Sequence, residues 1–311
     1  MKKIKILVIG SGAIGSFYGS ILHKGGAEVS YVCRSDYDIV QKKGITINSK
    51  DYDYNFHPHM IFKSGSRFQY DADFVIVATK VLPEINVPSL LEGIVSEKST
   101  IVLLQNGIYI EDSIQKAYPH HEIISALAFV CVNRIKPGIT KHLDYGRIVI
   151  GTYPEKITPQ TETLQKLFCE GGINCEIDED VLAARWRKLL WNAPFNPISV
   201  LTGGADTREM TSHEPTIALV KAVMNEVHSL SIADGHELSV ESIDKNIEDT
   251  YKMAPYKTSM LLDFEAKRPM EVEAILGNTL RLAKKLKVEV PHIESLYGTL
   301  SLLDIKNQEK E

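Results

Sequence analysis

The first half of the chain alternates short runs of apolar and β-branched residues with helical stretches, whereas the second half carries long 3.6-residue periodicities almost throughout. Strands are expected over residues 4–9, 28–33, 74–78, 100–104, 122–126, 147–151 and 173–177, with a helix over 159–169. Runs such as Phe74-Val75-Ile76-Val77-Ala78 are apolar throughout rather than alternating. That is the pattern of strands covered on both faces, so they belong in the middle of a parallel sheet. From Asp178 the strand signal stops, and helices are expected over about 179–200, 214–235, 239–252, 256–266, 270–286 and 292–304. The resulting fold class is α/β plus all-α, with a doubly wound parallel sheet in residues 1–178 and an all-helical domain in residues 179–311. The boundary coincides with the acidic run Asp178-Glu179-Asp180, which favours a helix start.

A chain of 311 residues accommodates two domains of this size, and 44% hydrophobic with 24% charged residues is enough for an ordinary core in each. The net charge of -5 leaves no broad positive field, so neither nucleic acid nor a membrane surface is an expected partner. The run at 4–9 is too short for an anchor and no cleavage site follows it. The four cysteines, Cys33, Cys131, Cys169 and Cys175, include no CxxC pair and read as buried free thiols. Together these features place the chain in the cytoplasm. His57 and His59 lack an acidic or cysteine partner at ligand spacing, so no metal site is expected.

Gly10-Ser11-Gly12-Ala13-Ile14-Gly15 directly follows a buried-type strand and directly precedes a helix, and this context turns a weak glycine pattern into a dinucleotide-binding signature of the Rossmann type. Gly10 permits the tight turn, Gly12 lets the backbone approach a pyrophosphate, and Gly15 lets helix and strand pack closely. The helix N-terminus presents free N–H groups to the anion. At the end of the second strand, where the adenosine ribose lies, the order is Arg34-Ser35-Asp36. Arg34 suits a 2′-phosphate and favours NADPH, while Asp36 keeps NADH open. Thr79-Lys80 and Gln105-Asn106-Gly107 also follow buried strands and open at the ligand-binding edge of such a sheet.

In the helical part, Lys188, Asn192 and Asn196 recur every four residues, so they form one polar strip that drifts only about 40° per step. Leu189, Leu190, Trp191 and Phe195 surround them, and polar groups buried in such company are costly without partners or a ligand. Pro194 and Pro197 interrupt the hydrogen-bond ladder, and a kink is expected. A ketone reduction builds negative charge on oxygen; a lysine can stabilise it and donate the proton, while amides orient the substrate. The aromatic residues of these helices are assigned to core or dimer contacts, which leaves open a homodimer through the helical domain.

With the GSGAIG loop, Lys188-x-x-x-Asn192-x-x-x-Asn196-Pro197, the segment Tyr256 to Asp263 and the segment Glu271 to Asn278 in that order, the chain resembles the ketopantoate reductases. The resemblance implies an NADPH-dependent reduction of 2-dehydropantoate to pantoate, on the route to pantothenate and coenzyme A. It makes Lys188 the general acid and Glu271 a partner that holds lysine, substrate and cofactor. Partial burial lowers a lysine pKa and a neighbouring carboxylate such as Glu271 raises it again, so Lys188 is expected to stay protonated at pH 7. It also makes Asn192 and Asn196 substrate amides, Ser259 a contact to the substrate carboxylate, and Asn106 a contact to cofactor and substrate, with Arg34 and Lys80 at the cofactor. Relative to that family the chain carries additional residues around Asp51 to Arg67. Two further readings stay open: a reductase or dehydrogenase for another 2-keto or 3-hydroxy acid, and an NADPH-binding sensor without turnover.

Overall fold

In the computed structural model, residues 3–66, 68–154 and 156–309 are described, so residue 67, the end of the additional segment, lies outside them. The fully apolar runs form the middle of one ten-stranded sheet. In chain order the first unit contains β1 (Lys5–Ile9), α1 (Ala13–Lys24), β2 (Glu28–Cys33), α2 (Tyr37–Lys43), β3 (Ile45–Ser49), β4 (Asp53–Phe56), β5 (Ile61–Lys63) and β6 (Phe74–Val77). It continues with α3 (Val87–Leu91), β7 (Thr100–Leu103), α4 (Asp112–Ala117), β8 (Ile123–Lys136), β9 (Ile139–Tyr153), α5 (Pro159–Glu170) and β10 (Cys175–Ile177). The strand order is β4-β3-β9-β8-β7-β6-β1-β2-β5, with β10 also on β9. From β8 through β5 all neighbours are parallel; β8 with β9 and β3 with β4 are antiparallel. The chain leaves β1 for β2 on one side and reaches β6 on the other, so the carboxyl end of β1 is the switch point where such sheets bind ligands.

The expected strand at 122–126 is the start of a 14-residue β8, and the one at 147–151 is the end of a 15-residue β9. The hairpin between them escapes a hydropathy reading because its inward positions on β9 include Thr140 and His142, 1% and 5% exposed. His142 is satisfied there by the Ser49 hydroxyl and the Tyr145 carbonyl, and its ring packs on Phe17. Of the cysteines, Cys33, Cys131 and Cys175 are buried thiols as expected, but Cys169 is exposed, since it lies on the solvent side of α5.

The second unit comprises residues 182–311 together with two short segments, 81–85 and 106–110, that follow β6 and β7 in the chain. Its helices are α6 (Val181–Leu201), α7 (Thr207–Ser212), α8 (Glu214–Ala233), α9 (Glu241–Lys252), α10 (Ser259–Glu265), α11 (Asn278–Leu286) and α12 (Pro291–Gln308), with a π-helical turn at Glu273–Gly277. The stretch expected as one helix over 270–286 is therefore π-helical first and α-helical after, a change that a 3.6-residue period cannot reveal. α6 is helical across Pro194 and Pro197, which leave the carbonyls of Leu190 and Ala193 without their usual ladder donors. Its core is built from Trp186, Leu189, Leu190 and Phe195 packed with Val223, Val227, Leu261 and Ile275. Among the described residues no helix is long and apolar enough to cross a membrane.

Candidate active site

The glycine loop has the geometry an anion cradle needs. Gly10 sits at φ 106°, with its N–H donated to the Val32 carbonyl at 3.1 Å, and a Cβ there would meet the Ala78 carbonyl at 3.2 Å, a position strained for any L side chain. A Cβ on Gly15 would meet the Gly10 carbonyl at 2.1 Å, so only glycine lets α1 close on β1. Gly12 is the opposite case: nothing lies within 4 Å of where its Cβ would be. It is also the N-cap of α1 and makes no side-chain cap, so the first-turn N–H groups face that open space. Ser11, Ala13 and Ile14 complete the loop, and a dinucleotide pyrophosphate fits it.

At the end of β2, Arg34 and Ser35 are exposed, whereas Asp36 is 1% exposed. Its carboxylate accepts from Arg134 through both Nε, at 3.1 Å, and Nη2, from the Gly138 N–H and from the Ser35 hydroxyl. Asp36 is thereby committed to tying the β8–β9 hairpin to the sheet, and Arg34 is the first charge after the strand with no carboxylate partner among the described residues. Lys80 is partly buried just after β6.

Within the second unit a polar relay converges on Lys188. Its Nζ donates to Asn106 Oδ1 at 2.8 Å, Asn106 Nδ2 donates to Glu271 Oε2 at 3.1 Å, and Glu271 Oε1 accepts the Val81 N–H at 3.0 Å. Glu271 therefore reaches the lysine through Asn106. Burial, with the neighbouring Arg185 guanidinium second, pushes the Lys188 ammonium from 10.5 down to about 7, against the pull of Glu271. Desolvation outweighs the Glu271 carboxylate, so the lysine is poised at neutrality rather than locked in its protonated form. The loop carrying Asn106 is fastened at three points: Arg185 Nη1 donates to the Gly107 carbonyl at 3.0 Å, Asn278 Nδ2 to the Ile108 carbonyl at 2.8 Å, and Tyr109 Oη to Asp234 at 2.5 Å. Trp186 Nε1 donates to the same Asp234 carboxylate at 3.1 Å. Gly107, at φ 101°, lies so close to the π-helical turn that a Cβ would meet the Ala274 carbonyl at 2.7 Å. Arg185, Asp234 and Asn278 are structural partners that sequence reading passed over, because each looks like an ordinary helix residue until the fold brings it to the loop.

Further along α6, Asn192 and Asn196 are 8% and 1% exposed. Asn196 Oδ1 is buried and without a hydrogen-bond partner among the described residues. Leaving such an acceptor bare costs about 1–3 kcal/mol, which a donor from a bound ligand would offset. The Ser199 hydroxyl donates to the Asn196 carbonyl at 2.8 Å and is 2.7 Å from Thr258 Oγ1, which in turn caps α10 by accepting the Leu261 N–H. That chain of hydroxyls fixes the start of α10, where Ser259 is exposed, to the Asn196 turn of α6.

Two family profiles match the chain, Ketopantoate reductase PanE/ApbA over residues 6–155 and Ketopantoate reductase PanE/ApbA C terminal over residues 180–304. A curated 2-dehydropantoate 2-reductase from Nostoc sp. is 36% identical over 99% of this chain and 98% of its own length. The crystal structure of 2-dehydropantoate 2-reductase from Methylococcus capsulatus is 44% identical with a TM-score of 0.92, covering 99% of each chain. That of the Geobacter metallireducens enzyme is 29% identical with a TM-score of 0.90, covering 96% of this chain and 99% of the other.

Proposed function

This chain belongs to the ketopantoate reductase family, and from that premise we propose that it reduces 2-dehydropantoate to pantoate with NADPH, in the cytoplasm, on the route to pantothenate and coenzyme A. Bound NADPH supplies the hydride that adds to the 2-keto carbon. Lys188 donates the proton to the keto oxygen, so that the carbonyl becomes an alcohol and the lysine is left neutral. Asn106 aims the ammonium, and Glu271 fixes Asn106 while its other oxygen holds the Val81 N–H. Asn192 and Asn196 offer amides to the substrate's polar groups, and Ser259 offers a hydroxyl to its carboxylate. Arg34 and Lys80 hold the phosphate-bearing end of the cofactor, an assignment supported by the withdrawal of Asp36 into its pair with Arg134.

The observation that carries the reading is the lysine itself, held at 2.8 Å by Asn106 and pushed to about 7, where a general acid works best near neutral pH. A homodimer through the helical domain completes the proposal. Leu302 and Ile305 on α12 remain 56% and 60% exposed, and a solution mass measurement tests the pairing. The function is tested by mixing purified protein with NADPH and a panel of 2-keto acids and following cofactor oxidation. Turnover fastest with 2-dehydropantoate is expected. Faster turnover of another 2-keto acid would reassign the substrate, and tight NADPH binding with no turnover of any of them would favour a sensor.

A further inference from the structure

One cation in the first unit, Lys63, has no part in the reading above. β5 runs parallel to β2, with Tyr31 opposite Ile61, Val32 opposite Phe62 and Cys33 opposite Lys63. Register partners on neighbouring strands project to the same face about 4.8 Å apart, so Lys63 stands on the face that Cys33 occupies. The glycine loop reaches the same strand end, where the Gly10 N–H donates to the Val32 carbonyl at 3.1 Å. The two strands then end together. Beyond β2 come the exposed Arg34 and Ser35; beyond β5 comes the turn Ser64-Gly65-Ser66, with Gly65 at φ 80°. The turn is built rather than loose: the Ser64 N–H donates to the Cys33 carbonyl at 2.8 Å, and Ser66 donates to the Lys63 carbonyl through N–H at 3.0 Å and Oγ at 2.5 Å. Phe62 and Phe68, stacked with centroids 3.9 Å apart, brace its base. Lys63 and Arg34 are both exposed, and neither is paired with a carboxylate among the described residues, while the nearby Asp36 is already taken by Arg134.

Two cations and a serine-rich turn thus meet beside the glycine loop at the strand end where the adenosine ribose of a bound dinucleotide lies. We propose that Lys63 is a second cation for the ribose 2′-phosphate, acting beside Arg34, with the Ser64 hydroxyl as a further donor. The inference rests on the NADPH reading and sharpens it. Two phosphate-directed cations discriminate against NADH more strongly than one, because each charge-assisted contact is absent from the unphosphorylated ribose.

The test is calorimetric titration of the whole protein with adenosine 2′,5′-bisphosphate and with adenosine 5′-monophosphate, neither of which requires turnover. Lys63→Ala should weaken the bisphosphate about tenfold and Lys63→Glu more, with the monophosphate changed less than about twofold and Lys63→Arg close to wild type. Arg34→Ala serves as the calibrator. A wild-type protein that binds both nucleotides equally would overturn the NADPH reading and the inference with it. A wild-type preference that Arg34→Ala removes, but that both Lys63→Ala and Lys63→Glu leave within about twofold, would overturn the role of Lys63 alone. Equal weakening of both nucleotides by Lys63→Ala would overturn it too, since the lysine would then serve no 2′-specific contact.

Discussion

If Lys188 is the proton donor, the pH profile of the reaction should carry its signature. The ammonium is pushed to about 7 by burial and by Arg185. With that value about nine tenths of the protein carries the proton at pH 6, half at pH 7 and about one tenth at pH 8. Ketone reduction needs the charged form, so kcat/KM should be level below about pH 6.5 and fall about tenfold per pH unit above about 7. Oxidation of the hydroxy acid needs the neutral form and should rise with pH over the same window. A lysine at its ordinary 10.5 would give profiles with no break in that range. Initial rates in both directions from pH 5.5 to 9, at saturating cofactor, read this directly. Lys188→Ala removes both the donor and the charge facing the developing alkoxide, so it should lose at least about 10³ in kcat and abolish the limb, with cofactor affinity intact. Profiles flat to pH 9 in both directions, or wild-type turnover in Lys188→Ala, would refute the assignment.

The same burial has a stability consequence of opposite sign. The folded pKa of Lys188 lies below the unfolded one, so the unfolded chain binds more protons between about 7 and 10.5 and stability should rise with pH across that window. Lys188→Met should accordingly be more stable than wild type at pH 6 by roughly 1–2 kcal/mol, with the gain fading toward pH 10, as read by urea unfolding. Glu271→Ala frees both Asn106 and the Val81 N–H, and should lower kcat by about 10² with NADPH binding unchanged; an equal fall in cofactor affinity would make the residue a cofactor ligand instead. Arg34→Ala should raise the KM for NADPH at least about tenfold and leave that for NADH nearly unchanged, since a lost charge-assisted pair amounts to about 1.5–3 kcal/mol. Gly107→Ala combines a positive φ with a 2.7 Å approach to the Ala274 carbonyl, and should cost about 2–3 kcal/mol in thermal unfolding while also misplacing Asn106 and slowing turnover.

The parts of the molecule legible in the sequence are those whose chemistry is local. The shape of the glycine loop could be read from six residues because it is set by the close approaches and the space that missing side chains allow. β6 could be read because full burial makes every position apolar. Where burial and polarity part company, reading fails: the β8–β9 hairpin hides behind Thr140 and His142, and Asp36, beside the expected ribose position, spends its charge on Arg134 from another strand. The polar strip Lys188, Asn192, Asn196 was visible from its spacing, but its electrostatic state was not. That state depends on Arg185, on the depth of burial and on the interposed Asn106, none of which has a signature along the chain.

The relay also shows why a buried lysine at this place needs more than its own helix. Lys188 stands on α6, Asn106 on a short segment after β7, and Glu271 immediately ahead of the π-helical turn, yet all three belong to one unit together with Val81. A fragment limited to residues 179–311 would lack Asn106, Gly107, Tyr109 and Val81. Arg185 would then lose the Gly107 carbonyl and Asp234 the Tyr109 hydroxyl. With Glu271 left facing no amide, its carboxylate would have no bridge to the lysine. The two segments inserted from the sheet region are what make a partly buried ammonium on an apolar helix tolerable. They give it the Asn106 carbonyl oxygen as a hydrogen-bond acceptor, backed by the Glu271 carboxylate that accepts from the same amide.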